Sequence, residues 1–190
     1  MSRSEAHGGY LCRLETLEGE QLARLARESL EADGQPTDGA GLLISVVKKV
    51  VRFAYDGPHT YGRQGAQWYC THHALAARLS TAFGVTVHAY VFDPDELEQV
   101  VTYGAGHPVG GDTVRYEDAE LDEDAALSEE AFEKLAARWP LGHLGRLLGL
   151  TRPELLRLPW ARGVLLPLDD DAPRAELDPL FQDSPADPRG

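Results

Sequence analysis

Lysine is nearly absent from this chain: Lys48, Lys49 and Lys134 are the only three in 190 residues. With the arginines, 18 basic residues stand against 31 acidic ones, a formal net charge of −13. Beyond Lys48-Lys49 and Arg52 there is no basic cluster, so the face that a phosphate backbone or an anionic lipid surface requires is missing. Neither nucleic acid nor membrane is expected as a partner. No stretch approaches the roughly 18–20 apolar residues that cross a bilayer. Residues 1–9 contain no apolar run, so no signal peptide is expected. Sulfur is scarce too, with Cys12, Cys70 and one Met. Two cysteines allow at most one disulfide, and without an export signal both thiols are expected to be reduced, in a cytoplasm. The scarcity of Lys and Met beside abundant Ala, Arg, Gly, Leu, Asp and Pro suggests a GC-rich bacterial genome.

What is present fits one domain, since roughly 100–200 residues per domain is usual. Residues 1–168 are assigned to it, and residues 169–190, acidic and proline-rich, to a disordered tail. Within the tail, Leu177, Leu180 and Phe181 read as linker rather than as an anchor. Residues 1–9 read as a loose leader, and the alternation over 10–16 as a short strand. Leu22, Leu25, Ala26 and Leu30 fall at helical spacing, with Asp33-Gly34 as the stop. Residues 42–55 fit a strand or a helix; their β-branched content tips them toward a strand or hairpin. A helix over 71–83 is followed by an alternating strand over 85–92 and a turn at Asp93-Pro94-Asp95-Glu96. A second strand covers 98–103 and a third 112–116, with the glycine-rich 104–111 between them as a loop. Ser128, Pro140 and the Thr151/Glu154 pair mark three further helix starts, and 163–168 a last strand. The fold class expected is α+β: a small antiparallel β-meander packed against several helices, with a disordered acidic C-terminal tail.

The densest reactive chemistry is Trp68-Tyr69-Cys70-Thr71-His72-His73. Adjacent imidazoles on a helix diverge by about 100°, and no second ligand cluster exists, so no metal is expected. No other motif implies a cofactor: the Gly104-Ala-Gly106 pattern sits between strands, without the following helix or lysine a phosphate cradle needs. Cys70 near a helix N-terminus has a nucleophile's setting, with His72 or a distant His88, His107 or His143 as base. A catalytic base normally comes from elsewhere in the fold, which favours a structural role for the cluster.

Exposed carboxylates, by contrast, need no special environment to meet an incoming cation. Asp93, Asp95 and Glu96 on the inter-strand turn, Tyr61 and Arg63 in the aromatic-flanked loop, and His107 are therefore the binding candidates. The functional expectation is an acidic cytosolic domain that binds a protein, a basic one by charge, in the manner of an immunity protein or antitoxin. Two alternatives stay open. One is an enzyme using Cys70 with a histidine base. The other is a ligand-sensing domain with a pocket lined by Tyr90, Phe92 and Tyr103.

Overall fold

A computed structural model describes residues 6–56, 73–119 and 128–182. Its frame is one seven-stranded, fully antiparallel sheet. The strands are β1 (His7–Arg13), β2 (Gly41–Val47), β3 (Val50–Asp56), β4 (Val87–Asp93), β5 (Leu97–Gly104), β6 (His107–Arg115) and β7 (Gly163–Pro167), in the order β6-β5-β4-β1-β3-β2-β7. The helices are α1 (Gly19–Ala32), α2 (His73–Phe83), α3 (Glu129–Ala136), α4 (Pro140–Leu148) and α5 (Arg152–Leu156), followed by a 3-10 turn over Leu158–Trp160. The fold class is α+β, and the meander β4-β5-β6 is as the sequence predicts.

Period-two alternation divides the core into two layers. One face of the sheet sends Tyr10, Cys12, Phe53, Ile44 and Ala89 against Leu22, Leu25, Leu30, Leu75 and Leu79 of α1 and α2. The other sends Leu11, Val50, Tyr90, Phe92 and Val100 against Leu141, Leu144, Leu148, Leu155 and Leu158. Helix ends follow local chemistry. Glu18 accepts from the Glu20 and Gln21 amides, Ser128 from that of Ala131, and Thr151 and Glu154 form a capping box. Gly149 closes α4 with φ 75°.

Several segments depart from their sequence reading. Residues 7–9 are not leader: they begin β1, the central strand, and are buried. Gly9 serves close packing rather than a turn, because a Cβ there would lie 2.7 Å from the Phe53 carbonyl. Most of 104–111 is strand as well. Only Ala105-Gly106 turns, with φ 50° and 84°, and β6 tolerates Pro108 and two glycines because it is an edge strand. The tail is docked up to Gln182. Arg174 binds Glu20 at 2.8 Å and the Pro167 and Asp169 carbonyls at 3.0 and 2.9 Å. Leu177, 3% exposed, enters the core, with Leu180 and Phe181 packed against it.

Residues 42–55 resolve as the hairpin β2-β3. Val47 pairs with Val50, so Lys48-Lys49 is a two-residue loop with φ 50° and 64°. Left-handed conformation costs an L-residue about 1–2 kcal/mol, which is why such turns favour Asn-Gly. The lysines form surface ion pairs with Glu154 and Glu15, each worth about 0–1 kcal/mol. The double substitution Lys48→Asn/Lys49→Gly is therefore expected to stabilise the protein by about 1 kcal/mol. A urea midpoint that moves down would show that the ion pairs outweigh the backbone strain.

Candidate functional site

The binding residues expected from sequence that fall among the described residues are not brought together. Asp93, Asp95 and Glu96 form the β4-β5 turn, where the Asp93 carboxylate accepts from the Asp95 amide at 2.9 Å. His107, exposed, starts β6 at the opposite end of β5. An eight-residue strand separates the two, about 25 Å at some 3.3 Å per residue. Tyr61, Arg63, Cys70 and His72 lie outside the described residues. Tyr90, Phe92 and Tyr103 do not share a pocket: the first two point into the α4/α5 layer and Tyr103 into the α1/α2 layer. Cys12 is buried, which pushes its thiol up to about 12 and makes it a poor nucleophile at neutral pH.

Sequence reading missed the polar groups inside the α4/α5 layer. Glu98 is 0% exposed. Its Oε1 pairs with Arg152, whose Nε lies 3.0 Å away, and accepts from the Tyr116 hydroxyl at 3.1 Å. Its Oε2 accepts from the Leu141 amide at 3.0 Å, so the carboxylate caps the start of α4. The Arg152 guanidinium lies 5.7–5.9 Å from the ring centroids of Phe92, Phe132 and Trp139. Burial, then the Glu98 carboxylate, raises the Tyr116 phenol far above its ordinary range.

A second network sits on the same face of the sheet, over β1, β3 and β4. Arg52 donates to the Tyr90 hydroxyl at 2.9 Å and to the Gly8 carbonyl at 2.6 Å, and His7 Nδ1 lies 3.0 Å from the same hydroxyl. His7 Nε2 is buried without a partner among the described residues, beneath the edge of Trp160. Burial, reinforced by the Arg52 charge, lowers its pKa to about 3. One signal of these networks stands in the sequence: Arg52 sits between Val51 and Phe53, a charge within an apolar stretch. Sequence alone does not say which face of each strand is covered.

A concavity formed by described residues lies between β4-β5-β6 and α4. It has a volume of about 270 Å3. Its floor is His88, Val100 and Thr102; Asp112 stands on one side and His143, Leu144 and Leu147 on the other. His88 Nδ1 lies 2.8 Å from the Thr102 hydroxyl, and burial lowers the imidazole to about 4, so it is neutral at pH 7. His143 Nδ1 accepts from Arg146 at 2.6 Å, and Leu147 is 68% exposed at the lip. The set combines a carboxylate, a hydroxyl and two imidazoles with an apolar wall. That suits hydrogen bonding and charge pairing to a bound group. No trio of His, Cys, Asp or Glu among the described residues is placed to hold a metal ion.

Comparison with family models, with curated proteins and with solved structures finds no match. Among the described residues no helix is long and apolar enough to cross a membrane.

Proposed function

We propose that this chain is a protein-binding domain that recognises a basic partner, in the specific form of an inhibitor of the immunity-protein or antitoxin kind. The observation that carries this reading is where the charge sits. Among the described residues the buried charges are Glu98, Arg52 and Arg152, a net +1, so the acidic excess of those residues lies outside the core. Such a surface accelerates encounter with a cationic protein and penalises anionic competitors. The buried charges support the same reading, because they hold the fold: Glu98 caps α4 and pairs with Arg152, and Arg52 ties β1 to β3 and β4.

The test is capture of a partner from native lysate at low and high salt. Calorimetry with the two purified proteins then follows. The expected result is one basic protein bound at fixed stoichiometry, with an affinity that falls steeply as salt rises. Absence of any stoichiometric partner at low salt, or an affinity indifferent to salt, overturns the reading.

A further inference from the structure

The groove between β5-β6 and α4 carries an inference about what such a partner presents. It rests on the protein-binding reading above. At about 270 Å3 it is smaller than the roughly 300–1,000 Å3 of sites for drug-sized ligands, and matches a single long side chain. Its composition is that of a cleft for an amphipathic cation. Val100, Leu144 and Leu147 offer an apolar wall for a methylene stem. Asp112 is exposed; its Oδ1 accepts from the Thr113 amide at 2.9 Å, and it has no ion-pair partner among the described residues. His88 is uncharged and adds no repulsion, and the nearby Arg146 guanidinium is engaged with His143 Nδ1 at 2.6 Å.

We propose that the groove receives an arginine side chain of the partner protein, with the guanidinium on Asp112 and its stem along Leu144 and Leu147. Arginine fits better than lysine, because its planar fork meets a carboxylate through two donors and lies flat against an imidazole such as His143. Gly111 of β6 lines the groove next to Asp112, and packs closely on β5, since a Cβ there would lie 3.1 Å from the Val100 carbonyl.

The experiment is an amide-shift NMR titration with N-acetyl-arginine amide, and with the citrulline amide as its uncharged isostere. The expected result is saturable perturbation of Thr102, Asp112 and Leu147 at millimolar arginine amide, weakened by salt and absent with citrulline. Asp112→Asn is expected to abolish it and Leu147→Ala to weaken it several-fold; both positions are exposed, so the fold should persist. No perturbation, or equal perturbation by citrulline, overturns the proposal. The two levels separate cleanly. A purified partner that binds wild type, Asp112→Asn and Leu147→Ala alike defeats the groove and leaves the protein-binding reading standing. Arginine-amide binding without any basic partner does the reverse.

Discussion

Replacing Glu98 with alanine is expected to cost about 3–5 kcal/mol of folding stability, the usual penalty for removing one member of a buried ion pair. The carboxylate satisfies four donors at once: two guanidinium nitrogens of Arg152, the Tyr116 hydroxyl and the Leu141 amide. Its loss leaves the Arg152 charge among three aromatic rings with its side chain 6% exposed, and leaves the amide at the head of α4 without its acceptor. Each buried donor left unpaired adds about 1–3 kcal/mol. Against a typical total of about 5–15 kcal/mol, the single variant should be marginal or unfolded at 25 °C. Arg152→Met and the double variant Glu98→Ala/Arg152→Met complete the comparison. The double change removes both charges, so it should cost clearly less than the sum of the two single changes. Urea unfolding at pH 7 measures all three. A Glu98→Ala loss under about 1 kcal/mol would mean that water reaches the pair and that it behaves as a surface contact.

Acid should unfold this protein earlier than its carboxylates alone would require. His7 and His88 are neutral in the fold, with pKa values lowered to about 3 and about 4, whereas an exposed histidine titrates near 6.5. Below that value the unfolded chain binds protons that the folded one refuses, so stability falls as pH falls. Each imidazole contributes a slope of up to about 1.4 kcal/mol per pH unit, beginning below pH 6.5. The loss ends near pH 4 for His88 and near pH 3 for His7. Together they should remove several kcal/mol between pH 6.5 and 4. Glu154, held near 2 by its Lys48 contact and the Thr151 amide, and Glu20, lowered by Arg174, act mainly below about 5.5, where an unfolded glutamate begins to protonate. The interval from about 6.5 to 5.5 therefore isolates the histidines from these carboxylates. Urea curves across it should steepen by about two protons in wild type and one in His7→Leu or His88→Asn. A flat profile in wild type would place both imidazoles in contact with solvent.

The two cases show why parts of this molecule were readable in advance and others were not. Helix starts were legible because capping is local chemistry: Ser128, Pro140 and Thr151 each act on amides within a few residues. The strands of the meander were legible by alternation. Glycine misled over residues 104–111, which read as a loop. It signals either a turn or a close approach, and only the neighbouring strand decides which. Gly8-Gly9 lie in the sheet centre under Arg52, and Gly110-Gly111 on an open edge. Leu177 misled because the low hydrophobicity around it predicts no independent structure, yet it needs only a vacancy beside α1 and β7 to become core.

By itself, then, the sequence determined the class of the fold, the position of the helix ends and a strongly acidic exterior. Each of these depends on composition or on residues a few positions apart. Only the tertiary structure decided that Glu98 meets Arg152 across 54 positions and that His7 meets Tyr90 across 83. It also separated the Asp93 turn from His107 and set Asp112 beside His143 and Leu147 on one groove. Those relations follow from strand order and from which face of the sheet each helix covers, and neither is encoded in local spacing.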